Sequence, residues 1–344
     1  MKPILLGPNQ PARFYRGGPA IARFRGLSPN GDNVPEDWVA STTAIFGDGS
    51  RGLTVLPDGR LLRDAVAAES EGFLGPEHVR HFGADPALLV KLLDAGERLP
   101  VHAHPDRRFA HDRLGAPHGK SEAWLIVGVE GAQTRIHLGF REDVEPAALA
   151  EWVSAQDGAA MLAALNELPV APGDCIYVPA GTPHSIGEGV LMVEVQEPSD
   201  LGVLLEWSKF GLERPEEATM GLGFDVAVEC VRRTAVDRDE LASWTRRSDE
   251  GPEVRPGARP VVPAAAERFF RAEWLRPAPS VALAAGYSVL VVVSGAGQLD
   301  TDGGALGLVQ GNTVLLPHAA GAGELTGAVE AVRCLPPRVE VADR

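Results

Sequence analysis

Four residues of this chain have the types and the spacing of a divalent-metal site: His102, His104, Glu122 and His184. His102 and His104 lie two apart between Leu99 and Asp106. Side chains at i and i+2 of a strand share a face, so the two imidazoles can converge on one ion. Glu122 follows His104 by eighteen residues, at the head of the apolar run 123–129, where an entering strand could supply a carboxylate. His184 closes a segment that opens at Gly173, in which a strand stops at Pro179, Ala180 and Gly181 and the turn presents an imidazole. Three imidazoles and one carboxylate form a common donor set for zinc, iron or manganese.

The elements that must position these residues read as strands. Short apolar runs punctuated by Gly and Pro, at 88–93, 123–129, 175–178, 190–195, 288–293 and 313–316, predict a mainly β fold. Helical patterning is confined to 61–69 and to a small insertion around 143–168, in the segments 146–153 and 159–167, with Asp143 and Ser154 as the expected starts. The stretch 246–263, RRSDEGPEVRPGARPVVP, is rich in charge, Pro and Gly and suits a linker. It divides the chain into a catalytic N-terminal domain, 1–245, and a C-terminal domain, 264–344. In the latter, runs at 269–274, 281–284 and 305–309 alternate with turns at Ser294-Gly295 and Gly311-Asn312, the pattern of a second small β-barrel or sandwich.

Composition narrows the partners. A formal charge of -15 over 344 residues opposes nucleic acid and anionic membrane surfaces, which leaves a small molecule as the expected ligand. Three widely spaced cysteines with no CxxC pair, no charged-then-apolar leader and no apolar run of membrane-spanning length together predict a reducing, cytoplasmic setting. Basic residues are overwhelmingly arginine; the lysines are Lys2, Lys91, Lys120 and Lys209, so Lys120 inside a dense motif stands out. His78, His81, His111, His118, His137 and His318 fit no ligand spacing and read as surface, turn or core residues.

The order Gly96, five residues, His102-x-His104, then Glu122, followed by Gly173, five residues, Pro179-x-Gly181, two residues, His184, resembles the paired signatures of the cupin superfamily. Within it the chain resembles the type I phosphomannose isomerases. The resemblance runs through Phe14 to Gly18, Glu36-Asp37-Trp38, Leu88 to Asp106, Gly119 to Trp124, Val170 to Asp174, Pro179 to His184 and Val193 to Asp200. It implies two jelly-roll β-barrels with helical insertions, the second degenerate, since Gly311 to Pro317 repeats only the glycine-to-proline spacing. It also implies a zinc-dependent enzyme that interconverts mannose 6-phosphate and fructose 6-phosphate, with Fe2+ and Mn2+ as alternative ions. His104, Glu122 and His184 fall on the family's metal ligands, and Lys120, Glu194 and Asp200 on its catalytic positions.

Two positions depart from the family. His102 stands where it carries glutamine, and Leu204 stands where its SDxxxR pattern carries an arginine four residues after Asp200. The second removes a guanidinium, so a sugar phosphate and a free sugar both remain candidate substrates, with Arg16, Lys91 and Lys209 as the cations that could receive a phosphate. Two other classes stay open at this level: an iron or manganese cupin enzyme of another reaction type, and a non-catalytic sugar-binding cupin. The sequence does not speak to oligomeric state.

Overall fold

The computed structural model describes residues 1–131 and 134–338. Among them the strands form three sheets. The first runs in the order Thr245–Arg247, Asp174–Val178, Glu122–Val129, Val190–Gln196, Leu89–Asp94, Glu36–Val39. The second runs Val203–Leu204, His102–Ala103, His184–Ile186, Arg135–Phe140, Leu165–Pro169. All their pairings are antiparallel. Strands such as Leu89–Asp94 and Val190–Gln196 are buried at every position, which is why they read as near-continuous apolar runs rather than as an alternation. The few polar residues inside those runs are therefore conspicuous, and they belong to the site described below.

The third sheet gathers the C-terminal strands, in the order Ile4–Leu6, Thr313–Leu316, Ser288–Thr301, Gly323–Leu335, Arg271–Leu275, Ala258–Pro260. Its edge strand comes from the other end of the chain: Leu5 pairs with Val314, and Leu6 is buried. Ser294 and Gly295, expected in a turn, lie within Ser288–Thr301, where the pairing slips between Val292 and Ser294. The slip is a β-bulge at Val293, and Gly295, at φ 76° and paired with Val329, continues the long strand instead of ending it. The stretch 246–263 begins with residues of Thr245–Arg247, hydrogen-bonded to Asp174–Val178, and carries Ala258–Pro260, hydrogen-bonded to Arg271–Leu275.

The expected helices form over Leu62–Ala68, Pro146–Ala155 and Gly158–Ala164, the last stopping at Ala164 because residues 165–167, expected in it, belong to the strand Leu165–Pro169 paired with Arg135–Phe140. Their starts differ from the expectation. Pro146 occupies a first-turn position, where its missing N–H costs nothing, and Asp143 instead accepts from the Ala235 backbone N–H at 2.8 Å. Ser154 lies inside that helix, and Asp157 caps the next by accepting from Ala160 N–H at 3.0 Å. Short helices that the sequence pattern did not disclose cover Ala20–Arg25, Ser70–Leu74, Pro76–Phe82, Arg107–Leu114 and Arg238–Trp244. One apolar core extends from Trp124, Ile126 and Val193 in the first sheet through Leu62 and Phe73 to Phe270, Val289 and Val332 in the third.

Candidate metal centre

The two glycine-led motifs work by close approach and by backbone handedness. A Cβ on Gly96 would sit 2.1 Å from the Gly17 carbonyl carbon, so the turn before the histidine pair tolerates only glycine. Gly181, at φ 85°, turns the second motif toward His184, and its N–H donates to the His104 carbonyl at 2.6 Å, tying the two motifs together. His102 pairs in register with His184 on one side and with Leu204 on the other. Glu122 opens its strand in the facing sheet.

Each histidine is fixed by its Nδ1. The Nδ1 atoms of His102, His104 and His184 lie 2.8 Å from the carbonyls of Pro100, Leu201 and Thr182. A proton donated to those carbonyls leaves the Nε2 lone pairs free, and one ring nitrogen from each histidine lies within 4.8 Å of the others. The Glu122 carboxylate faces them, Oε2 at 3.3 Å from His104 Nε2 and Oε1 at 3.3 Å from His184 Nε2. Trp124 Nε1–H donates to Glu122 Oε1 at 3.1 Å and holds that carboxylate in place. His184 Nε2 is buried without a hydrogen-bond partner, and Glu122 Oε2, also without a hydrogen bond of good geometry, has the Lys120 ammonium at 3.0 Å on one side only. Lone pairs turned on one another in a dry site are costly unless something positive sits between them. The four residues thus fit a divalent cation. Burial first, then a neighbouring cation or imidazole, holds all three histidines well below their ordinary pKa, so they stay neutral and able to ligate.

Beside this cluster the first sheet lays charges in a row. Glu194 is in register with Trp124 on one side and Lys91 on the other, and Lys91 with Trp38. Lys91 Nζ lies 3.7 Å from Glu36, 3.6 Å from Glu194 and 4.0 Å from Asp200, and 4.6 Å from the Trp38 ring centroid. Lys120 Nζ lies 3.0 Å from both His104 Nε2 and Glu122 Oε2, and 4.0 Å from Glu194. Burial alone would lower the Lys120 pKa, but Glu122, Glu194 and Asp200 outweigh it and hold the amine charged. Burial likewise lifts the Glu194 carboxyl, to about 7 against the pull of Lys91, while Lys120 keeps Glu122 below its ordinary value despite burial. Asp200 is gripped by Arg13 through both carboxylate oxygens, at 3.0 and 3.1 Å.

These groups line one cavity of about 400 Å³, together with Tyr15, Phe46, Arg51, Leu204 and Met220. The structure therefore brings together all seven of the residues anticipated from sequence: His102, His104, Glu122, His184, Lys120, Glu194 and Asp200. It separates the three phosphate candidates. Arg16 is exposed and bonded to Glu97, Lys209 is exposed, and Lys91 is enclosed by carboxylates. Arg13, Glu36 and Tyr15 were not anticipated. The aromatic and charged blocks at 14–18 and 36–38 marked their neighbourhood, but nothing local indicates that Arg13 reaches Asp200. Among the described residues, the remaining histidines join no cluster that could hold a metal.

No family model matches the chain. It is 36% identical over 129 residues, 36% of its length, to a mannose-6-phosphate isomerase of Streptococcus mutans. It is 29% identical over 204 residues, 58% of its length, to the mannose-6-phosphate isomerase ManA of Bacillus subtilis. The matched stretches span 39% and 59% of those two relatives. Solved structures extend the likeness in fold. The mannose 6-phosphate isomerase of Bacillus subtilis superposes with TM-score 0.77 at 22% identity, covering 97% of this chain and 99% of that one. A variant of the phosphomannose isomerase of Salmonella typhimurium gives 0.74 at 15%, covering 98% and 100%. The chain is thus similar in sequence, over part of its length, to mannose-6-phosphate isomerases, and in fold, over nearly all of it, to solved structures of such isomerases.

Proposed function

We propose that the chain is a metal-dependent aldose/ketose isomerase that interconverts a mannose-type hexose and its fructose-type isomer, with mannose 6-phosphate, the substrate in its relatives' names, as the first to test. The observation that carries this reading is a buried cluster of three neutral histidines and a carboxylate, reached through His102, His104 and Glu122 from a cavity that also holds a buried carboxyl poised near neutrality. His102, His104, Glu122 and His184 are the residues that would hold the ion, and zinc suits their three-nitrogen, one-oxygen set. When bound, a divalent ion offsets negative charge that develops on a substrate oxygen. Also part of this proposal are the division at 246–263, the two-barrel description of the fold and a cytoplasmic setting. Among the described residues no helix is long and apolar enough to cross a membrane.

The chain's own residues supply the proton traffic. Isomerisation moves a carbon-bound proton from C2 to C1 and a hydroxyl proton from O2 to O1, through an enediolate. Glu194, ionised in a useful fraction at neutral pH, takes the proton from C2 and returns it at C1. Lys120, held as an ammonium by its carboxylate neighbours, donates hydrogen bonds toward the oxygens on which charge appears. Leu99, Ile186 and Leu201 line the cavity with apolar surface that limits water around the reacting carbons.

Incubation with mannose 6-phosphate, fructose 6-phosphate, mannose and fructose, followed by NMR, tests the reading. Turnover of at least one pair is expected, lost on chelation and restored by zinc; no exchange in any pair with any of zinc, iron or manganese sinks it. Glu194→Gln should lower kcat by at least about 100-fold with metal content unchanged, the usual cost of removing a general base.

A further inference from the structure

We propose that Arg13 is a substrate-contacting residue of this isomerase, the guanidinium that binds the sugar's oxygens opposite the metal cluster; the assignment rests on the isomerase reading above. Four cations line the cavity. Lys91 is 1% exposed and surrounded by three carboxylates, Lys120 is engaged with His104 and Glu122, and Arg51, 57% exposed, is bound to Asp48. Arg13 differs from all three. It is 13% exposed, its Nη1 and Nη2 each give one hydrogen bond to Asp200, and its Nε is buried without a hydrogen-bond partner, 3.4 Å from Glu36.

A guanidinium has five N–H donors. Asp200 takes two from Arg13, which leaves three, one on each terminal nitrogen and one on Nε, in a fixed plane at the cavity wall. A buried donor left over from such a clamp is an incomplete site. Asp200 is itself steadied by the Phe46 N–H at 3.3 Å, and the Arg13 backbone is tied to Asn33 at 2.9 Å, so the fork is held before any ligand arrives. Asp200 and Glu36 keep the guanidinium charged against its burial. The facing wall offers no substitute: Leu204, in register with His102, is apolar, and Met220 lies on the same cavity. Vicinal hydroxyls or an enediolate oxygen present the paired acceptors that a planar fork matches and an ammonium does not.

The test compares wild type, Arg13→Met, Arg13→Lys, and Arg13→Met combined with Leu204→Arg, each loaded with zinc and checked for metal content and thermal midpoint. Arg13→Met should lose about 100-fold or more in kcat/KM, the scale of one lost charge-stabilising donor. Restoring a guanidinium at position 204 should recover at least about 10-fold of that loss, which a purely structural role would not allow. Should the methionine variant fail to fold, Arg13→Lys keeps the charge opposite Asp200 without the fork and should still lose about 10-fold or more in kcat/KM. Lysine or methionine variants within about 3-fold of wild type overturn the assignment. If wild type binds mannose 6-phosphate calorimetrically but turns over no sugar, the isomerase reading fails alone, and Arg13 is judged by affinity: at least about 10-fold weaker binding in Arg13→Lys upholds it, unchanged affinity overturns it. Absence both of turnover of any pair and of binding to wild type overturns both.

Discussion

At the scale of single residues, the candidate metal cluster owes its precision to partners outside the four proposed ligands. Backbone carbonyls choose the tautomer of each histidine, and Trp124 orients Glu122 from its Oε1 side. Trp124→Phe keeps the ring in the core and deletes that one donor, so zinc affinity measured by chelator competition should fall by about 10-fold, the usual range for an outer partner of a ligand, with little change in thermal midpoint. Unchanged affinity would show that the carboxylate is positioned by other means. The proposed ligands stood out in the sequence because two motifs of fixed spacing, Gly96 to Glu122 and Gly173 to His184, follow one another in order. Arg13 did not, since its contact with Asp200 joins positions 187 apart and exists only once the sheets are assembled.

Elements set those residues in place, and the tightest is the turn before the first histidine pair. Gly96 packs backbone against backbone, on Gly17 and Gly18, with no flexible side chain to yield. Gly96→Ala should therefore cost about 3 kcal/mol or more, at the upper end for overpacking, and appear as a lowered urea midpoint or as insoluble protein. A wild-type midpoint would mean that the loop 17–18 can move aside. Buried strands announced themselves as apolar runs bounded by Gly and Pro. Helices of five to eight residues, such as Ser70–Leu74 and Arg107–Leu114, did not, because one or two turns bury too few positions to establish a 3.6-residue period. The bulge just before Ser294-Gly295 was hidden for a related reason: Ser-Gly marks a turn and a strand irregularity with the same letters.

For the molecule as a whole, the decisive fact is a core shared between the two halves of the chain. Leu6, Trp124, Val193, Phe270, Val289, Leu315 and Val332 belong to one cluster, and the strand at the N-terminus completes the C-terminal sheet. A fragment of residues 1–245 would expose one side of that core and leave Ile4–Leu6 unpaired. It is expected to show no cooperative melt by circular dichroism, while the full chain unfolds in one transition; a fragment that melts cooperatively would establish independent halves. The same stitching constrains how the folded protein comes into being. Translation makes Ile4–Leu6 long before their partners in Thr313–Leu316, with the loop that carries Arg13 and Tyr15 directly behind the early strand. The early strand must then wait until Thr313–Leu316 have been made, so the cavity wall that Arg13 and Tyr15 form is fixed late, and a chain cut short of those partners would carry the proposed metal ligands beside an unfinished cavity.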